Sequence, residues 1–159
     1  MRLLLAQHGL AVDKHEDPAR PLSEAGVQDV QQLARQLGSS GVRVARVWHS
    51  GKLRAAQTAE LLAKQVLPKG RPETVDGIAP NDPVEEFAAD VDVWQEDTLV
   101  VGHLPFTSRL VSLLMSGDAE RECVRYMPGS IVCLEREVSG HWVLLWMLRP
   151  RLKSGEADT

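Results

Sequence analysis

The sequence predicts an α/β fold in which a mainly parallel mixed sheet carries helices on both faces and ends in a C-terminal antiparallel hairpin. Short apolar runs, typical of strands buried on both faces, alternate along the chain with segments of helical periodicity. Pro, Gly and Ser separate these segments. Near the end of the chain, two apolar runs are separated by Ser139-Gly140, a turn signal that predicts a hairpin.

The first half of the chain predicts two strand-helix units. Residues 2–6 form a continuous apolar run that predicts a buried strand, and residues 10–22 are polar and predict a loop. Ser23 is the predicted N-cap of a helix that ends at Gly38, and Gly26 is a mild cost to that helix. Residues 42–49 contain a second strand, centred on 45–48, and residues 53–67 predict a second helix.

The second half predicts shorter elements and the hairpin. Residues 74–78 favour a short strand, and residues 83–93 favour a polar helix of weaker periodicity. Residues 98–101 predict another buried strand, and Pro105 suits the first turn of a helix that runs to about residue 114. The strands of the hairpin are predicted over residues 131–138 and 142–148.

Length and composition indicate one domain over residues 1–150, followed by a polar tail over residues 151–159. The net charge of −4 argues against a general nucleic-acid binder, which would have to be basic. The apolar runs are too short for a membrane span. Cys123 and Cys133 are too few for a disulfide scaffold, so we expect a cytoplasmic protein. The sequence does not predict the oligomeric state.

Polar clusters follow three of the predicted strands. They are Gln7-His8-Gly9, residues 50–54 and Gly102-His103. In sheets of this kind the ligand crevice lies beyond the carboxyl ends of the strands, so we expect the clusters to meet there.

The chemistry of these clusters suits a phosphoryl group. A neutral His8 imidazole can attack phosphorus, Arg54 can clamp two phosphoryl oxygens, and a protonated His103 can neutralise charge in the transition state. This scheme needs neither a metal ion nor a cofactor. Each residue taken alone would more often be an ordinary polar residue at a strand end or on a helix surface. A metal site built from the histidines is a weaker hypothesis, because their spacing is not that of metal ligands; these are His8, His15, His49 and His103.

Four blocks of the chain resemble the histidine phosphatase superfamily, which has the phosphoglycerate mutase-like fold. Residues 5–11 (LAQHGLA) resemble the L-x-R-H-G-x-A signature, and residues 17–26 (DPARPLSEAG) resemble D-x-x-R-P-L-[ST]-x-x-G. Residues 47–59 (VWHSGKLRAAQTA) resemble the block around S-P-x-x-R-A-x-Q-T-A, and residues 100–105 (VVGHLP) resemble V-x-G-H-x-P. The blocks occur in the family's order, and the short chain is similar to SixA-type phosphohistidine phosphatases.

The resemblance implies a role for each matching residue. His8 would be the phosphorylated nucleophile, Arg54 and His103 would bind the transferred phosphoryl group, and Arg20 would line the same pocket. Gln7 and Gly9 would also contact the phosphate. The implied substrate is a phosphorylated protein such as a histidine phosphotransfer domain.

Two positions depart from the family pattern. Gly51 stands where the family has proline, and Gln7 stands where the signature has arginine. A neutral amide in place of a guanidinium is expected to weaken anion binding by about 1–2 kcal/mol and so to slow turnover. Arg20 is the first candidate to compensate for the missing charge, and Lys52 and His49 are weaker candidates. The alternative is a non-catalytic module that binds a phosphorylated partner in the same pocket.

The sequence assigns no general acid. Glu85 and Glu86 lie where larger family members carry one, but they equally suit a solvated helix start, and the acidic residues of the loop after His8 are unassigned; these are Asp13, Glu16 and Asp17. An alkyl phosphate needs a proton donor for its leaving group, whereas a protonated imidazole leaves readily. The sequence therefore favours phosphoramidate substrates over sugar phosphates.

Overall fold

A computed structural model describes residues 1–152 of the chain. Within that range the chain forms six strands and four helices, in an order that confirms the predicted α/β class. The elements are β1 (Arg2–Gln7), α1 (Glu24–Ser39), β2 (Arg46–His49), α2 (Leu53–Val66), β3 (Glu73–Thr74), α3 (Val84–Val91), β4 (Thr98–Gly102), α4 (Phe106–Ser116), β5 (Ile131–Arg136) and β6 (Trp142–Leu148). Most of the predicted polar tail, residues 153–159, lies outside the described residues.

The strands form one mixed sheet in the order β3-β2-β4-β1-β5-β6. The first four strands of this order are parallel to one another. β5 pairs antiparallel with β1, and β6 pairs antiparallel with β5. The mainly parallel sheet and its C-terminal antiparallel hairpin are therefore both confirmed.

The core has two layers, one on each face of the sheet, and β1 contributes to both. Leu4 and Ala6 pack with α1 and α2 on one face, while Leu3 and Leu5 pack with α3 and α4 on the other. Successive strand residues point to opposite faces, so a strand covered on both sides needs apolar residues at every position. The continuous run of residues 2–6 is explained by this double burial.

The start of α1 confirms one prediction and corrects another. The Ser23 hydroxyl accepts a hydrogen bond from the Gly26 amide at 3.0 Å, as an N-cap side chain does. We expected Gly26 to be a small cost to the helix. It is instead a packing requirement, because a Cβ atom at this position would clash with the Leu10 carbonyl oxygen. The absence of a side chain lets α1 lie directly against the loop that follows β1.

Several predicted bounds differ from the observed ones. The strand predicted over residues 74–78 is the two-residue β3, and the helix predicted over residues 83–93 is the shorter α3. Pro105 is the N-cap residue of α4 and does not lie within its first turn. Among residues 1–152 there is no helix with both the length and the apolar character needed to cross a membrane.

Candidate active site

The three polar clusters come together at the carboxyl edge of the sheet. β2, β4 and β1 are neighbours and parallel, so they end side by side, with Ser50, His103 and His8 directly after them. The His8 and His103 ring centroids are 5.2 Å apart, and the Ser50 hydroxyl lies 2.6 Å from His103 Nε2. The expectation that the clusters would meet is confirmed.

His8 is fixed by its own backbone and by its ring. Its amide donates to the Gly102 carbonyl at 3.0 Å, and its carbonyl accepts from the Gly129 amide at 3.0 Å. Its Nδ1 lies 2.7 Å from the Gly9 carbonyl oxygen. A carbonyl oxygen only accepts hydrogen bonds, so Nδ1 carries the proton and Nε2 keeps its lone pair.

The surroundings of His8 keep its ring neutral. Burial, followed by the positive charges of Arg54 and Arg20, lowers the pKa of His8 from 6.5 to about 4. The imidazole is therefore uncharged at neutral pH, with a free Nε2. This is the form of histidine that acts as a nucleophile.

His103 is also held neutral. It is 1% exposed, and burial followed by the nearby His8 and Arg54 lowers its pKa to about 3. We expected a protonated His103 to offset phosphoryl charge, but the free site contains the uncharged ring. A bound dianion would raise the pKa of His103 by favouring the imidazolium. The positive charge on His103 is therefore absent from the free site, and its role with a bound anion stays a prediction.

Two guanidinium groups and the Lys52 ammonium group supply the positive charge of the pocket. Arg54 lies in the first turn of α2, where burial and the charge of Arg20 lower its pKa. Arg20 has a left-handed backbone with a φ of 50°, and its Nε donates to the Val12 carbonyl at 3.1 Å. Because the Arg20 charge lowers the pKa values of His8, His103 and Arg54, these four side chains share one electrostatic environment.

Gln7 is a buried part of this site. It is the last residue of β1, pairs with Gly102 and is 7% exposed. Its Oε1 is buried without a hydrogen-bond partner in the described structure, and so are Arg54 Nε and His103 Nδ1. Buried polar atoms left unpaired cost about 1–3 kcal/mol each, so their concentration here suits a pocket that receives a polar ligand.

Two side chains of α2 hold the pocket together. The buried Thr58 hydroxyl accepts from the Gly9 amide at 2.9 Å and donates to the Arg54 carbonyl at 2.8 Å. Gln57 Oε1 accepts from the Leu22 amide at 2.7 Å. From the sequence we assigned no role to Thr58 or Gln57, and we did not pair Ser50 with His103. The available signal for Gln57 and Thr58 was their position in the A-x-Q-T-A part of the third block.

Gly9 has a packing role that we did not predict. Its amide donates to the Thr58 hydroxyl, and its contact with the phosphate stays a prediction. A Cβ atom at Gly9 would lie 2.7 Å from Val30 Cγ2, on the side of α1. The glycine therefore lets α1 approach the loop after β1.

Gly51 gives the loop after β2 a backbone that proline cannot adopt. Its φ is 89°, whereas the proline ring fixes φ near −65°. Its amide donates to Nδ1 of the buried His49 at 3.0 Å, and proline has no amide hydrogen. This loop thus differs in conformation as well as in sequence from one with proline at this position.

The candidate acids do not act on the two histidines. Within residues 1–152, the groups that shift the pKa of His8 or His103 include no carboxylate. Glu85 lines a cavity between α3, α4 and the hairpin, and Glu86 lines a second cavity with Asp76 and Asp90. In the loop after β1, Asp13 and Asp17 accept hydrogen bonds from nearby backbone amides.

The metal-site hypothesis has no geometric support. In the part of the chain that the structure describes, no group of three or more His, Cys, Asp or Glu side chains is arranged to hold a metal ion.

Comparisons with known proteins identify a family whose model matches the first half of the chain. The model of the histidine phosphatase superfamily (branch 1) matches residues 3–77. An uncharacterized protein of Picosynechococcus sp. is 33% identical over 112 residues, which cover 66% of this chain and 67% of that protein.

Similarity to SixA extends over nearly the whole chain. The phosphohistidine phosphatase SixA of Escherichia coli K12 is 26% identical, with 99% of both chains covered. A solved structure of the protein histidine phosphatase SixA, complexed with tungstate, has a TM-score of 0.83 at 26% identity and covers 94% of this chain and 97% of that one. The chain therefore belongs to the histidine phosphatase superfamily and is of the SixA type.

Proposed function

We propose that this chain is a phosphatase that removes the phosphoryl group from phosphohistidine in proteins through a phosphorylated His8. The observation that carries this proposal is the state of His8, whose Nδ1 proton is held by the Gly9 carbonyl while a low pKa leaves Nε2 unprotonated. Two guanidinium groups within electrostatic reach supply the complementary charge for an anion.

The reaction would proceed in two displacements at phosphorus. In the first, the His8 Nε2 lone pair forms a bond to phosphorus as the P–N bond of the substrate breaks, and the protonated substrate imidazole leaves as the neutral ring. In the second, water attacks the phosphoryl group on His8, which releases phosphate and a proton and restores the free ring. Arg54 and Arg20 would hold the phosphoryl oxygens through charge-assisted hydrogen bonds.

His103 would stabilise charge that develops on the phosphoryl group. Its ring lies close to His8, and the arriving dianion would raise its pKa from the low value of the free site. Ser50, bonded to His103 Nε2, would orient the ring during both steps. Neither step requires a metal ion or a cofactor.

Phosphohistidine suits this pocket better than a phosphate ester. An alkoxide leaving group needs a proton from a general acid, and no described carboxylate perturbs either histidine. A protonated imidazole leaves without such help. The similarity to proteins named phosphohistidine phosphatase and protein histidine phosphatase supports the same substrate class.

A phosphohistidine substrate also indicates a class of partner protein and a compartment. We propose that the partner is a phosphorylated protein such as a histidine phosphotransfer domain in a cytoplasmic phosphorelay, and that residues 1–150 form the catalytic domain. The free thiols of Cys123 and Cys133 fit a reducing compartment.

A second candidate function is supported by Gln7. A neutral amide stands where the family signature has arginine, so the pocket has less charge with which to stabilise a transition state. The same pocket would then bind a phosphorylated partner without turning it over.

One labelling experiment separates the two functions. The protein is incubated with a ³²P-phosphohistidine donor protein, quenched in alkali, and analysed for label on His8 and for released phosphate. The enzyme predicts both signals and their loss in His8→Ala, while His141→Ala, an exposed histidine on the hairpin, serves as the matched control. Tight binding of the donor with neither label nor phosphate would support the binding module instead.

A further inference from the structure

Three exposed leucines lie at the edge of the sheet that carries the pocket. Leu10, Leu53 and Leu104 are 40%, 41% and 39% exposed. Leu10 is two residues after His8, and the other two directly precede Arg54 and follow His103. Since β1, β2 and β4 end side by side, the segments that follow them carry these leucines at the same edge of the sheet as the pocket residues. We refer to them as the apolar rim.

The backbone beneath the rim is held in place. The Leu10 carbonyl accepts hydrogen bonds from the Ser23 amide at 2.8 Å and from the Ser23 hydroxyl at 3.0 Å. Leu53 is the first residue of α2, and the residue before Leu104 is anchored through its carbonyl, which accepts from the Thr107 amide at 3.0 Å. A backbone that is already ordered adds no further ordering cost when the side chains are covered, which favours binding.

We infer that the apolar rim is the docking surface for apolar side chains that flank a phosphohistidine on a folded protein. This inference rests on the proposed function and adds the surface that selects the substrate. The charges are complementary, since the phosphoryl group of the partner would enter the cationic pocket of Arg20 and Arg54. The neutral surface of the partner around that group would cover the leucines. Covering roughly half-exposed leucines gains free energy in proportion to the apolar area removed from water.

A small phosphoramidate would not use this surface. Free phosphohistidine can place its phosphoryl group in the pocket, but it has no neighbouring side chains to cover three leucines at once. The rim therefore predicts a preference for a phosphorylated protein over the free amino acid. That preference is measured by the ratio of kcat/KM for the two substrates.

The test substitutes each rim leucine by serine and compares two substrates, a phosphorylated histidine phosphotransfer domain and free phosphohistidine. We expect each substitution to lower the ratio of kcat/KM, protein over free amino acid, by roughly tenfold and mainly through KM. Leu144→Ser and Leu145→Ser are matched controls, because these leucines are 41% and 40% exposed but lie on β6. The control variants should keep the wild-type ratio.

The experiment distinguishes a wrong docking role for the rim from a wrong proposed function. If the enzyme hydrolyses both substrates and the kcat/KM ratio is unchanged in all three rim variants, the docking role of the rim is wrong and the proposed function is unaffected. Affinity for the phosphoprotein, measured by calorimetry in a His8→Ala background, needs no turnover and should weaken roughly tenfold with each rim substitution. If the wild type hydrolyses neither substrate, the proposed function fails. The docking role of the apolar rim is then decided by the affinity measurement alone.

Discussion

Replacing Gln7 by arginine tests whether this position contacts the transferred phosphoryl group. Gln7 is 7% exposed at the end of β1, and its Oε1 has no hydrogen-bond partner in the described structure. Arginine would place a third guanidinium group in the environment already shared by Arg20 and Arg54. It would also restore the residue of the family signature.

The expected gain follows from the strengths of the two kinds of hydrogen bond. An amide that donates to a phosphoryl oxygen makes one hydrogen bond to an anion, whereas a guanidinium group adds a positive charge and a second parallel donor, a difference of about 1–2 kcal/mol. Gln7→Arg should therefore strengthen transition-state binding by about 1–2 kcal/mol and raise kcat/KM by roughly fivefold to thirtyfold. The same charge should repel Arg20 and Arg54 in the free site and lower the free energy of unfolding by about 1–2 kcal/mol.

The assay combines kinetics with thermal unfolding. Steady-state hydrolysis of a phosphohistidine protein gives kcat/KM, and calorimetry with and without inorganic phosphate gives the melting temperature. Phosphate should recover more stability in Gln7→Arg than in the wild type, because it neutralises the added charge. Gln7→Met, which is similar in length but has no donor, is the control and should lower kcat/KM about fivefold.

Two outcomes would contradict the prediction for Gln7→Arg. If neither Gln7→Arg nor Gln7→Met changes kcat/KM, the side chain does not touch the phosphoryl group. If Gln7→Arg loses activity while phosphate still raises its melting temperature more than it does in the wild type, the added charge binds the anion but does not favour the transition state.

Three further predictions concern the scaffold of the pocket. Thr58→Val should lower the free energy of unfolding by about 2 kcal/mol in denaturant titrations, because the buried Gly9 amide loses its acceptor, while Thr58→Ser should stay near wild type. Gly51→Pro restores the family residue, but it should lower the free energy of unfolding by about 2 kcal/mol or more, because φ is 89° and the Gly51 amide donates to His49. Gly51→Ala keeps that amide and should lower the free energy of unfolding by about 1 kcal/mol. His103 has a folded pKa of about 3 against 6.5, so only the unfolded chain binds its proton as pH falls below 6.5. Stability should drop with falling pH by up to about 1.4 kcal/mol per unit from this group, and His103→Gln should show a shallower decline; an equal slope would contradict the burial argument.

Sequence patterns predicted the elements whose burial is fixed by local periodicity. The run of residues 2–6 and the helical spacing after Ser23 required only that a strand or helix hide one or two apolar faces. Placing polar residues directly after β1, β2 and β4 was then enough to bring His8, Ser50 and His103 to one edge. The parallel sheet converts positions far apart in sequence into neighbours, which is why the pocket could be expected at all.

Contacts set by tertiary packing were not predictable in the same way. Gly26 looked like a small helix defect, because no local rule shows that the Leu10 carbonyl packs against it. The roles of Thr58 and Ser50 depend on the distance between elements rather than on their own neighbours in sequence. The protonation state of His103 is another example, because burial and three-dimensional charge placement determine it.

The charge state of the pocket connects these observations to Gln7. His8 and His103 are neutral, so the guanidinium groups of Arg20 and Arg54 are the charges that would bind an incoming phosphoryl dianion. No carboxylate is among the groups that shift the pKa values of the two histidines. A bound dianion would raise the pKa of His103 and so favour its charged form. A permanent third guanidinium group at position 7 would hold the product as firmly as the transition state unless its contacts tighten during the reaction. We therefore expect Gln7→Arg to bind inorganic phosphate more tightly than the wild type as well as to raise kcat/KM.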